Sequence, residues 1–424
     1  MASETMLDYV IKQRETFDEV PFNNVDSLIL STIVYLLFER GPLGTQDPNV
    51  PLPLAAAMCG APRESFIDDC CLNCKEGMVL YLTLLESPRF MSLTVSNYET
   101  CDDEQAEKQF AALTFHLPDG GIYVCYRGTD GTINGWKEDL NFCYTINVPG
   151  QVQARNYLEY MAATGPRYIL VGGHSKGGNL AEYAALTCDD GTYNLISRVF
   201  SHDGPAFAQP PSERLDSPEY AIKLDKTVPE SSVIGMLLEQ RDTYRILEAK
   251  GALLAQHSPI NWLLKGSGFA YTAKINATAM VLYGTLNSWA HSCTQERRKR
   301  LVDAIFDVLG ATGAYNVGEI NDDPIKNMRL IKGAVDRLPD DLRDDVGNMF
   351  REMFRLLRGE AVEKAKDNLP FRKDAGDKRD APAEPTEPTE PAPDPIVHVE
   401  RGEEPEKPLH VVVALPDGDY MDFS

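Results

Sequence analysis

The stretch LVGGHSKGGNLAEYAAL, residues 170–186, constrains this chain more than any other. An apolar run suited to a buried strand leads into a glycine cluster holding one serine, and helical spacing follows at once. Gly173, Ser175 and Gly177 have the GxSxG spacing of a nucleophile elbow. In such an elbow the serine occupies a strained strand-to-helix turn, and the positions two residues to either side must lack bulky side chains. The helix that follows aims its first amides and its positive dipole end at any oxyanion formed on a substrate carbonyl. The bland alternative is a tight turn around a small residue. The strand before Ser175 and the helix after it favour the catalytic reading.

Around this unit, helices and strands alternate. The segment NNVDSLILSTIVYLLFER is read as a helix with Leu28, Ile29, Val34, Leu37 and Phe38 on one apolar face. Two strands, 110–116 and 122–126, flank a turn at Asp119 and Gly120. QVQARNYLEYMAAT is a helix ended by Pro166, and RYILVGG is the strand that enters the elbow. Further strands are expected at ISRVFSH, YAIKLD and TYRILEA, and a helical period runs from about 285 to 368. The pattern predicts an α/β class with a mostly parallel sheet covered by helices on both faces. The expected organisation is a domain over 1–293, a helical region over 294–368, a disordered Pro/Glu-rich acidic linker over 369–408 and a short apolar segment over 409–424. That last segment is suited to dock as a strand or to recruit a protein partner, or else is a mobile end.

The formal net charge of −23, from 64 acidic against 41 basic residues, repels nucleic acid and anionic membrane surfaces, so neither is an expected partner. The first thirty residues are too polar and acidic for a signal peptide, and no uncharged apolar run is long enough to span a bilayer. A cytoplasmic location without stable membrane insertion is the expectation. The 9 cysteines show no disulfide framework and are read as mostly buried thiols. Cys71 and Cys74 form a Cys-x-x-Cys pair, but no second ligand pair follows, so no metal or cofactor is expected.

A serine hydroxyl needs a base, usually a histidine oriented by a carboxylate, and on a fold with this elbow the chain order is serine, acid, histidine. Of 7 histidines, His116 precedes Ser175, His174 is inside the elbow, His202 comes too early to follow an acid, and His398 and His410 fall in or beyond the tail. His257 and His291 remain. His257, in GALLAQHSPINW, has the loop context of a base, whereas His291 lies on a helical stretch running into a basic surface. For the acid, Asp203 follows ISRVFSH and Asp225 is read as ending the strand YAIKL, so topology leaves both open. The oxyanion hole is expected to combine the amide of Lys176 with that of Thr129, in YRGTDGTINGW, where Gly128 allows close backbone approach.

YRGTDGTINGWKEDL followed by GGHSKGGNLAEYAAL resembles the class 3 lipase pattern of an Arg-Gly-Thr loop, a Trp with Asp-Leu, and a GHSxGG elbow. GGHSKGGNLA, HDGPAF, VPESSVIGMLLE, QHSPINW and the upstream VDSLILSTIVYL more closely resemble the Mbeg1-like family, also called DUF2974, a bacterial group of predicted α/β-hydrolases, over roughly residues 20–265. The resemblance implies an α/β-hydrolase fold with Ser175 as nucleophile and His257 as base, and it favours Asp203 over Asp225. Ser258 and Ala206 depart from the family pattern without removing a catalytic side chain. The expected activity is cleavage of an ester or thioester, a small-molecule acyl substrate, by a covalent acyl-enzyme. The alternatives are an inactive scaffold that binds a ligand or partner, and a peptidase or amidase using the same triad. The apolar stretches SSVIGMLLEQ and NWLLKGSGFAYTAKINATAMVLYGTL are suited equally to an acyl pocket or to core packing.

Overall fold

In the computed structural model, the apolar run after the Asp119 turn pairs with the strand that enters the elbow, at the middle of a nine-stranded sheet, and the run before the turn lies on its other side. The structure describes residues 4–347 apart from 68–73, 143, 240, 242, 252–253, 278, 281–283, 285–286, 288–293 and 315–323, together with 397–398, 412–414 and 420–422. The strands are β1 (Leu52–Pro53), β2 (Thr94–Asp103), β3 (Lys108–His116), β4 (Ile122–Tyr126), β5 (Ile169–His174), β6 (Ile196–His202), β7 (Leu224–Pro229), β8 (Tyr244–Leu247), β9 (Leu264–Lys265), β10 (Gly268–Phe269) and β11 (Tyr271–Thr272). The sheet order is β1-β2-β3-β4-β5-β6-β7-β8-β11, and β9 pairs separately with β10. From β4 to β8 all pairings are parallel, while both edges are antiparallel. This is the mixed α/β architecture expected from the alternation of elements.

The helices are α1 (Met6–Lys12), α2 (Asn24–Ile33), α3 (Leu54–Cys59), α4 (Cys74–Leu85), α5 (Pro88–Met91), α6 (Ile133–Asn141), α7 (Pro149–Ala163), α8 (Lys176–Thr187), α9 (Asp190–Leu195), α10 (Pro218–Lys223), α11 (Leu254–His257), α12 (Gln295–Gly310) and α13 (Pro324–Val335). Side-chain alternation divides the sheet between two cores. Leu113, Phe115, Tyr123 and Cys125 join the core under α1, α2 and α4, while Phe110, Ala112, Val124 and Tyr126 join the one under α7 and α8. A third cluster packs α12 and α13 together with Ile133 and Leu140 of α6.

Helix α2 departs from the expected one-faced pattern. It stops at Ile33, before Leu37 and Phe38, and every residue from Val25 to Ile33 is buried. Asn23 caps it by accepting from Val25 N at 2.8 Å, and its polar residues find partners inside: the hydroxyls of Ser27 and Ser31 each lie 2.9 Å from that of Tyr123. Internal hydrogen bonding replaces the polar, solvent-facing side.

The expected strand YAIKLD requires a second correction. Ser217 caps a helix with Pro218 in its first turn, so Tyr220–Lys223 are helical and β7 begins only at Leu224. Asp225 therefore opens β7 rather than ending a strand. Its carboxylate accepts from Arg245, and in register it lies beside Phe200, two residues short of the end of β6. Among the cysteines in the described residues, Cys125 and Cys188 are buried, Cys101 is half-buried and Cys59 is exposed; the Cys71–Cys74 pair is not wholly within those residues.

No helix among the described residues is long and apolar enough to cross a membrane. The chain divides into two units, Met1–Arg358 and Gly359–Ser424. In the second, Val412–Ala414 pairs antiparallel with both Val397–His398 and Tyr420–Asp422. Most of the expected linker over 369–408 lies outside the described residues.

Candidate active site

Strand β5 delivers Ser175 into a turn that few residues adopt, with φ 58° and ψ −130°. Holding a non-glycine residue there costs on the order of 1–3 kcal/mol, so the surroundings must over-determine it. The two glycines of the motif are part of those surroundings. A Cβ on Gly173 would stand 2.4 Å from the Gly177 carbonyl carbon, and one on Gly177 would stand 2.2 Å from the Tyr126 carbonyl oxygen. The Ser175 amide donates to the His202 carbonyl at 2.9 Å, tying the turn to β6.

The Ser175 hydroxyl oxygen is 2.9 Å from Nε2 of His257, and Nδ1 of that ring is 2.6 Å from Oδ2 of Asp203. The carboxylate at Nδ1 assigns the proton to that nitrogen, which leaves the Nε2 lone pair facing the hydroxyl. His257 ends the single-turn α11. The preceding Gln256 fixes this turn by accepting from the Ser231 amide at 2.8 Å and donating to the carbonyls of Ala249 and Gly251, each at 3.0 Å. Trp262 Nε1 donates to the Gln256 carbonyl at 2.8 Å.

Asp203, just past β6, has a positive φ of 52° and is 1% exposed. Its amide donates to the Thr227 carbonyl at 2.8 Å. Its Oδ1 accepts from the Ser232 hydroxyl and, at 3.1 Å, from the Gly235 amide, which leaves Oδ2 for His257. A Cβ on Gly235 would stand 2.3 Å from Oδ1 of Asp203. The glycine of SSVIGMLLEQ thus makes room for the carboxylate. Val233, Met236 and Leu238 of that segment, with Trp262, Leu264 and Phe269 downstream, are buried core residues. Of the other acid and base candidates, Asp225 lies at the far end of β7 and His291 lies outside the described residues.

Two backbone segments flank the serine. Lys176 is the first residue of α8, where an amide has no acceptor one turn back in its own helix. On the other side, a Cβ at Gly128 would be 3.2 Å from Ser175 Cβ and 2.6 Å from the His174 carbonyl oxygen, so the chain leading into Thr129 passes against the elbow. The Thr129 hydroxyl donates to Oδ2 of Asp139, on α6. Sequence reasoning missed Asp139 as a functional residue, although its Asp-Leu pair was part of the lipase-like pattern. Burial, partly offset by the nearby Lys176 cation and by the Thr129 hydrogen bond, pushes its carboxyl up to about 6. Its Oδ1 is buried and accepts no hydrogen bond within the described residues.

The remaining central histidines are neutral supports. Burial, with the neighbouring His257 adding to it, holds His174 well below the usual range; its Nε2–H donates to the His257 carbonyl oxygen at 2.8 Å. Burial lowers His202 to about 3, and its ring bridges the hydroxyls of Ser27 and Thr227, each at 2.9 Å. No group of metal-ligating side chains occurs among the described residues.

A family model described as Mbeg1-like matches residues 84–307. Among solved structures, the native Rhizomucor miehei lipase propeptide complex is similar at 13% identity and a TM-score of 0.30, covering 53% of this chain and 67% of that one. A fungal lipase–inhibitor complex, described as a model for interfacial activation in lipases, is similar at 16% identity and a TM-score of 0.30, covering 53% and 76%. No curated protein matches the sequence. The match to the family model spans more than half of the 424 residues, and the chain belongs to the Mbeg1-like family.

Proposed function

We propose that the protein is a serine hydrolase that cleaves carboxylic esters or thioesters through an acyl-enzyme. The reading rests on one observation: an unbroken line of contacts from Asp203 through His257 to Ser175, at 2.6 and 2.9 Å. In this reaction Ser175 Oγ attacks the acyl carbonyl carbon while its proton passes to His257 Nε2. The buried Asp203 carboxylate stabilises the imidazolium that results. The amides of Lys176 and Thr129 hold the oxyanion of the tetrahedral intermediate, within the reach of the α8 dipole. As that intermediate collapses, the C–O or C–S bond to the leaving group breaks, and His257 gives its proton to the departing alkoxide or thiolate. Water, deprotonated by the same imidazole, then attacks the acyl-serine, and the free acid leaves with Ser175 reprotonated.

A fluorophosphonate probe tests the reading directly. Stoichiometric labelling of the folded protein is expected, with complete loss in Ser175→Ala. No labelling of the wild type, or labelling that persists in Ser175→Ala, overturns it.

A further inference from the structure

Four elements meet at the side chain of Lys176, which is 1% exposed. Its ammonium donates to the Gln109 carbonyl at 2.8 Å, to the Gln109 side-chain oxygen, and to Oε2 of Glu138 at 3.0 Å, so all three of its N–H bonds are used. Glu138, itself fully buried, also accepts the amides of Gln109 at 3.1 Å and Gly150 at 2.8 Å. A Cβ at Gly150 would stand 2.6 Å from Glu138 Oε1, so a side chain there would have to displace the carboxylate from its partners. One ion pair therefore joins β3, α6, the start of α7 and the first residue of α8.

Packing alone does not call for this arrangement. A cation in the first turn of a helix faces the positive end of the dipole, and a buried ion pair can usually be replaced by apolar side chains of the same volume without loss of stability. What the pair supplies that apolar contact does not is direction: charge-assisted hydrogen bonds of fixed length hold α6 in one register against α8. The residue after Glu138 is Asp139, which holds the Thr129 hydroxyl. The two amides assigned to the oxyanion, Lys176 at one end and Thr129 at the other, are thus connected through neighbouring residues of a single helix.

We propose that the Lys176–Glu138 ion pair is the positioning device of the oxyanion hole, locking α6, and through Asp139 the Thr129 amide, to the nucleophile elbow before any substrate arrives. Its chemical meaning rests on the hydrolase reading; its mechanical content does not. Neither side chain touches the reacting atoms, so both are positioning residues.

The double variant Lys176→Met/Glu138→Gln removes both charges, and the carboxamide oxygen introduced in place of the Glu138 carboxylate remains an acceptor for the Gly150 amide. Two measurements follow on the full chain. Amide exchange over residues 127–141 is expected to speed up by about tenfold or more, with the rest of the sheet unchanged. For p-nitrophenyl butyrate, kcat is expected to fall by about 10–100-fold with KM within about twofold, the pattern of an interaction felt in the transition state. Unchanged exchange over 127–141 overturns the clamp, and faster exchange with unchanged kcat overturns its link to catalysis. If the wild type neither turns over the ester nor labels with fluorophosphonate, the hydrolase reading fails, yet the exchange measurement still decides the clamp. Should the double variant not fold, Glu138→Gln alone carries the same two measurements.

Discussion

Asp139 shows what a single residue can hide. Its carboxyl, ordinarily at 3.8, is pushed up to about 6 in the folded protein, chiefly by burial. Between those values the folded chain holds a proton that the unfolded chain releases, so stability contributed by the neutral carboxyl is lost as pH rises through about 6. Asp139→Asn stays neutral throughout. Relative to wild type, the variant is expected to gain about 1–3 kcal/mol in unfolding free energy between pH 4 and pH 8, measured by urea denaturation at both values. A loss over that interval would contradict the assignment. No pattern along the chain marks the carboxylate of this half-buried residue as shielded, because Thr129 after β4, α6 and Lys176 of α8 surround it only once they pack. Ser175 is the opposite case: its two glycines are held by contacts within the turn and with the end of β4, yet their spacing is visible in seven residues of sequence.

At the scale of elements, what was legible is where one period held. Strands β3 to β6 and helices α7 and α8 have apolar runs or helical spacing bounded by turn residues. The misreading fell where two elements abut without a turn: α10 passes into β7 between Lys223 and Leu224, and apolar residues on both sides conceal the change. It matters chemically, because it exchanges the strand's end for its beginning. Asp203→Asn is expected to lower kcat by about 10³–10⁴-fold through loss of the correct imidazole tautomer, whereas Asp225→Asn should leave kcat within about twofold. Turnover of a soluble ester by the two variants checks this, and a large loss in Asp225→Asn would contradict the strand register. The choice between Asp203 and Asp225 was open from topology alone, since it depends on where β7 starts.

On the scale of the whole molecule, the sheet is buried between two cores, and the segment before residue 84, outside the family-model match, supplies much of one of them. Arg89 fastens that segment. Fully buried, it donates to Oδ1 and Oδ2 of Asp26 at 2.8 and 2.6 Å and to the carbonyls of Glu15 and Val20 at 2.9 and 3.0 Å. Arg89→Met leaves the Asp26 carboxylate without its cation, and a loss of about 3–5 kcal/mol in unfolding free energy is expected, readable as a lowered urea midpoint. A change below about 1 kcal/mol would show that the pair is dispensable.

Ser175 and Asp203, both with positive φ, also carry a consequence for how this protein can vary. Each is the first residue beyond a strand, and the strands are neighbours whose last residues, His174 and His202, pair directly. Ser175 and Asp203 are therefore mounted on positive-φ kinks one strand apart, and their separation is set by the spacing of the sheet rather than by the chain between them. A change of length at the exposed residues 189–191 would leave that gauge unchanged, whereas a one-residue slip of β6 against β5 would put it out of register at once.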